Sequence, residues 1–169
     1  MDMQSIVSIR PALPADVRAI ASLVEPYAVD RRLLAKDLVV YFESVQEFLV
    51  AEADGVVVGC GALHVLWEDL AEVRTVAVDP GWRGRGLGHL LVRELLDRAR
   101  TLGLQRVFCL TFEVEFFGRH GFAELTGEAV TPEVYAELLR SPDDGVAEFL
   151  DLARVKPNTL GNTRMLAHL

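Results

Sequence analysis

Two arginines set among three glycines, Arg83-Gly84-Arg85-Gly86-Leu87-Gly88, carry the clearest chemical signal in the chain. Glycine lets a backbone pass close to a ligand with its N–H groups turned inward. A helix starting here would add partial positive charge at its N-terminus, and Arg83 and Arg85 add full charges. Together these suit a diphosphate. The loop is not a P-loop, because GxxxxGK[ST] is absent. A dinucleotide fingerprint begun at Gly84 fails at His89, where Gly or Ala is needed, and its acidic partner ~20 residues further on is missing. Just upstream stand Glu72 and Arg74. In a regular strand residues 72, 74, 76 and 78 share one face. Glu72 then reads either as a general base in a cleft or as a solvated carboxylate at a strand end, paired with Arg74.

The elements that must position these groups are legible around them. Val73, Thr75, Val76, Ala77 and Val78 form a run with strand preference, stopped by Asp79-Pro80-Gly81 because Pro80 has no N–H for a ladder. Leu87, Leu90, Leu91, Leu95 and Leu96 follow at helical spacing, with Gly103 as the C-cap. Upstream, Ile6 to Arg10 reads as a strand and Pro14 as the first turn of a helix whose apolar face is Val17, Ile20, Ala21, Leu23 and Val24. Tyr27 to Gln46 reads as a second helix, with Leu34, Leu38, Tyr41, Phe42 and Val45 on one face and Arg31, Arg32, Lys36 and Asp37 near its start. Phe48 to Ala51 and Val56 to Val65 read as a hairpin turned at Asp54-Gly55. Downstream, Gln105 to Thr111 is a strand, Phe112 to His120 a short helix and Pro132 to Arg140 an amphipathic helix. Glu148 to Arg154 and Met165 to Leu169 are expected as the last strands, joined by a polar connection at 156–162. The expected fold class is a mixed α/β sheet with helices on both faces.

The bulk properties exclude several classes. The 169 residues are 51% hydrophobic with two cysteines, which suits one core-bearing domain rather than a disordered chain. A net charge of −8 argues against nucleic acid or an anionic membrane as partner. An anionic ligand would need a local basic site, which the Arg83/Arg85 loop supplies. Cys60 and Cys109 sit in apolar runs, as buried reduced thiols do. No apolar run reaches a membrane span, and the N-terminus lacks a signal-peptide layout. A cytoplasmic location is expected, with no metal site.

Arg83-x-x-Gly86-x-Gly88 between strand and helix resembles motif A of the GCN5-related N-acetyltransferases (GNAT). Arg10-Pro11-Ala12-Leu13-Pro14-Ala15-Asp16 is similar to their entry pattern R-x-A-x-x-x-D, and Phe116 to Phe122 to their motif B. Within that family the chain is most similar to N-acetylglutamate synthases, in the short single-domain actinobacterial form. Val39 to Glu52, Gly59 to Trp67 and Val155 to Leu166 carry that likeness, and Ala71 to Val78 lines up with "G-E-M-A-C-V-A-V". The resemblance implies a GNAT fold with a splayed central strand, in a single N-acetyltransferase domain over 1–169: a core at 1–125, then an added helix and final strands at 126–169.

The resemblance also implies roles. Acetyl-CoA is the cosubstrate. Val76, Ala77 and Val78 contact its pantetheine arm, Arg83, Gly84, Arg85, Gly86, Leu87 and Gly88 its pyrophosphate, and Phe117 packs against it. Glu72 is the base and the Val76 N–H the oxyanion donor. The motif B tyrosine that many members use as acid is Phe117 here, so Thr111, at the end of its strand, is the candidate for the leaving thiolate. Lys36 falls where long synthases bind the glutamate side chain through an arginine. Arg74, Lys156 and Arg164 are further candidates for substrate carboxylates. The implied reaction acetylates the α-amino group of glutamate or glutamine, the first step of arginine biosynthesis. The alternatives are acetylation of another small amine, or a non-catalytic acyl-CoA sensor. A homodimer stays open.

Overall fold

The computed structural model describes residues 6–30, 33 and 36–169. Arg31, Arg32 and Leu34, expected on a second helix, lie outside the described residues. Seven strands form a mixed sheet in the order β1-β2-β3-β4-β5-β7-β6. The chain divides into two compact units, 1–63 with 73–98, and 64–72 with 99–169.

In the first unit β1 (Val7–Pro11), β2 (Phe48–Ala53) and β3 (Val56–Trp67) run antiparallel, and β4 spans Leu70–Val78. The β2–β3 turn falls at Asp54-Gly55, both at positive φ. Two left-handed residues give a hairpin turn whose twist matches its strands. A short 3-10 turn (Pro14–Asp16) leads into α1 (Val17–Val29), which buries Val17, Ile20, Leu23 and Val24. Arg10 and Asp16, the ends of the entry pattern, meet directly. The guanidinium donates to both Asp16 oxygens at 2.8 and 3.0 Å and to Glu52 at 2.6 Å. Asp16 also accepts from the Leu13 N–H at 2.7 Å. The Arg10 hydrogen bonds hold the buried Asp16 carboxyl below its ordinary pKa.

The expected helix over 27–46 is not formed as one element. α1 ends at Val29, and α2 is only Leu38–Glu43, followed by a 3-10 turn at Val45–Glu47. Of the expected face, Tyr41 and Val45 are buried, while Leu38 and Phe42 stay exposed. Six residues offer too few turns to bury a full stripe.

α3 (Leu87–Thr101) starts in this unit and buries Leu87, Leu91, Val92, Leu95 and Leu96. It lies flush on β3 because Gly59 and Gly61 have no side chains. A Cβ on Gly61 would stand 2.8 Å from Leu95 Cδ1, closer than carbon atoms pack.

In the second unit the start of β4 pairs in parallel with β5 (Arg106–Thr111), Leu70 with Arg106, Ala71 with Val107 and Glu72 with Phe108. β5 pairs antiparallel with β7 (Thr163–His168), and β7 with the two-residue β6 (Ala123–Glu124). Gly103 (φ 79°) ends α3, and the Leu104 N–H reaches back to the Ala99 carbonyl, a Schellman closure. Gly121 closes α4 (Val114–Gly118) by the same geometry. α5 (Pro132–Leu138) is the expected amphipathic helix.

Glu148 to Arg154 is not a strand. It holds the end of α6 (Asp144–Phe149) and a 3-10 turn at Ala153–Val155. Asp143 starts α6 by accepting from the Val146 N–H at 3.1 Å, and Val146, Ala147 and Phe149 are buried at helical spacing. The polar connection at 156–162 contains one more helical turn, α7 (Lys156–Thr159).

Candidate functional site

The first unit holds the loop. Asp79 is tied to β3 through its N–H to the Val58 carbonyl at 2.8 Å, and its side chain accepts from the Gly81 N–H at 2.9 Å. A 3-10 turn (Pro80–Trp82) follows. Gly84 and Gly86 both take positive φ, a conformation that side chains resist. The Gly86 carbonyl accepts the Leu90 N–H at 3.1 Å, so the first-turn N–H groups of a 15-residue helix open toward the loop. Arg83 lies over the Tyr27 ring at 5.2 Å and Arg85 over the Trp82 ring at 4.7 Å. Such stacking holds each guanidinium beside the loop by its face. Full charges, helix-end N–H groups and a loop open for close approach suit a diphosphate.

The end of β4 presents a hydrogen-bonding edge. N–H and C=O of one strand residue point the same way and alternate along the chain. Asp79 N–H points to β3, so Val78 and Val76 face the opposite edge. Within β4, Thr75 has φ 58°, a rare conformation for a β-branched residue, and its carbonyl faces the Cys60 thiol at 3.5 Å. This corrects the regular alternation assumed for 72, 74, 76 and 78, because a left-handed residue resets which side the following residues face. Strain of this kind costs roughly 1–3 kcal/mol and persists where the fold enforces it. Arg74 and Val76 are half-buried.

Lys36 is half-buried and lines a cavity of about 360 Å3 with Arg18, Ser22, Glu25, Leu38 and Tyr41. Arg18 had no part in the expected site; it stands seven residues before Glu25 on α1.

The second unit holds Glu72. It is 4% exposed, so the reading as a solvated strand-end carboxylate fails. Its charge is felt by Cys109, whose thiol is pushed up mainly by burial and further by Glu72. Thr111 is buried, and its hydroxyl accepts the Glu113 N–H at 2.8 Å, which turns the chain after β5. Its own proton remains to be donated. Phe117 is 8% exposed and packs edge-on against Phe116 and Phe122 at 5.0 and 5.3 Å. Lys156 pairs with Asp151. Arg164 donates to the carbonyls of Glu148 and Phe149 at the end of α6, where desolvation lowers its pKa. Both cations already have structural work.

Tyr27 is a residue at the site that the sequence did not single out. Its hydroxyl accepts from the Val78 N–H at 3.2 Å and donates to the Val78 carbonyl at 3.1 Å. The signal was its place in the sequence: Ile20, Val24 and Tyr27 continue one face of α1 at spacings of four and three.

Strand, loop and helix in this order make a diphosphate-binding unit. The family model described as "Acetyltransferase (GNAT) family" matches residues 17–122, and the chain belongs to that family. It is an acyltransferase with acetyl-CoA as cosubstrate. An amino-acid acetyltransferase of Mycobacterium tuberculosis is 62% identical over 161 residues, covering 94% of this chain and 92% of its own. The crystal structure of Rv2747 from Mycobacterium tuberculosis, in complex with CoA and NLQ, is 61% identical with a TM-score of 0.92, covering 96% of this chain and 99% of that one. An N-acetylglutamate synthase from Neisseria gonorrhoeae, in complex with coenzyme A and N-acetyl-glutamate, is 26% identical with a TM-score of 0.77. There the match covers 98% of this chain and 36% of the other.

Proposed function

We propose that the chain, as a single N-acetyltransferase domain of the cytoplasm, acetylates the α-amino group of glutamate, glutamine or both, the entry reaction of arginine biosynthesis. The coarser activity, amino-acid N-acetylation, has the support of the 62% identical relative. The observation that carries the reading is the loop: Arg83 and Arg85 stacked on aromatic rings, with Gly84 and Gly86 turning the chain into α3.

In this reading Arg83, Arg85 and the first-turn N–H groups of α3 hold the diphosphate, and Val76 to Val78 align the pantetheine arm. Acetyl-CoA supplies the acyl group as a thioester. Glu72 takes a proton from the substrate ammonium, freeing the nitrogen lone pair. The Val76 N–H donates to the carbonyl oxygen as it gains negative charge. The Thr111 hydroxyl donates a hydrogen bond to the departing thiolate. Lys36 engages the substrate side chain, with Arg74 as a further carboxylate contact.

The test is release of free CoA thiol from acetyl-CoA over a panel of amino acids and small amines. Turnover with glutamate or glutamine above all others is expected. Turnover confined to an unrelated amine would overturn the substrate assignment.

A further inference from the structure

Tyr27 occupies two features at once. Its hydroxyl fills both hydrogen-bonding groups of Val78, on the edge of β4 that faces away from β3. Its ring carries Arg83, the first cation of the loop. A phenol oxygen can accept one bond and donate another, so a single atom does what an amide does when it pairs with a strand edge. Val78 N–H has one proton to give, and Tyr27 holds it.

We propose that Tyr27 is a positioning residue of the CoA site that the cofactor displaces. Its hydroxyl holds the Val78 pair until an amide of the pantetheine arm takes it, and its ring holds Arg83 until the diphosphate does. Tyr27 thus keeps the strand edge satisfied and Arg83 placed in the free protein. Binding exchanges partners one for one. This inference rests on the acetyl-CoA reading above.

The variant Tyr27→Phe isolates the hydroxyl. The ring stays, and phenylalanine still carries a cation on its face. The free variant loses two hydrogen bonds that the CoA-bound protein does not use. The loss therefore falls on the free state alone, and CoA binding must tighten by the same factor. Calorimetric titration of wild type and Tyr27→Phe with CoA should show Kd falling by about 5-fold or more in the variant. Thermal unfolding supplies the second readout. Without CoA the variant should melt below wild type; with saturating CoA the two should melt together, because their bound states are equivalent. A purely structural role would keep the deficit with CoA present and leave Kd unchanged, which would overturn the inference. A weaker Kd would also overturn it, by placing the hydroxyl on the cofactor. Failure of the wild type to bind CoA would overturn this inference and the acetyl-CoA reading together. CoA binding with equal Kd in both proteins would overturn the inference alone.

Discussion

Replacing Arg83 by alanine measures how much of CoA binding the loop provides. A charge-assisted contact to a phosphate contributes about 1.5–3 kcal/mol. The structure sets a deduction, because the guanidinium starts over the Tyr27 ring, and leaving such a stack at an exposed site costs about 0.5–1 kcal/mol. The net loss in Arg83→Ala is then about 1–2 kcal/mol, a 5- to 30-fold rise in Kd for CoA. The variant also lacks the stack, so its free state gives up nothing on binding. Calorimetric titration with CoA at low salt reads the value without relying on turnover. Raising ionic strength should narrow the gap between the two proteins, since the missing contact is partly exposed. Arg83→Lys should recover part of the affinity, keeping the charge but not the planar fork. A Kd for Arg83→Ala within twofold of wild type would refute the diphosphate assignment of this loop.

Two further outcomes follow from other parts of the molecule. Lys36 is a flexible ammonium whose donors can reach a carboxylate oxygen or an amide carbonyl, so kcat/KM for glutamine should lie within ~10-fold of that for glutamate, or exceed it. Lys36→Ala should raise KM for glutamate more than for glutamine, because only glutamate loses a charge pair; equal rises in steady-state assays would remove Lys36 from the site. Asp16→Asn should destabilise the fold by about 1–2 kcal/mol at pH 7, the cost of losing charged hydrogen bonds. The Asp16 carboxyl titrates below its ordinary value in the folded state. Its contribution is therefore full above the unfolded pKa of about 3.9 and is lost as pH falls through the folded pKa. Denaturant unfolding should show wild type and variant converging in acid, and a gap independent of pH would contradict the pairing.

Much of the fold was legible because local and tertiary preferences agree. Asp54-Gly55 sits where two left-handed residues are needed, and Gly103 ends α3 where its spacing predicted. The failures have distinct causes. α2 exposes Leu38, Val39, Val40 and Phe42, so apolar content there did not mean a buried helical stripe. Glu148 to Arg154 was expected as a strand, yet the Asp143 cap and the spacing of Val146 and Phe149 favour helix, and Arg164 takes the carbonyls at its end. The left-handed Thr75 was invisible, because its residue type argues for plain strand and only the surrounding fold enforces it. At the site, the loop could be read from its glycines and arginines. The place of Tyr27 on the apolar face of α1 could be read, but its bond to Val78 could not, because the two lie 51 residues apart in sequence.

The most direct test of the proposed chemistry is kcat for glutamate and glutamine as a function of pH, wild type against Glu72→Gln. The amide keeps the shape of the side chain and cannot take a proton. A loss of ~10²-fold or more is expected near neutral pH, with Kd for CoA unchanged. The loss should shrink at high pH, where the substrate amine has already shed its proton in solution. A variant with wild-type kcat across the range would show that the amine arrives deprotonated and that Glu72 is not the base.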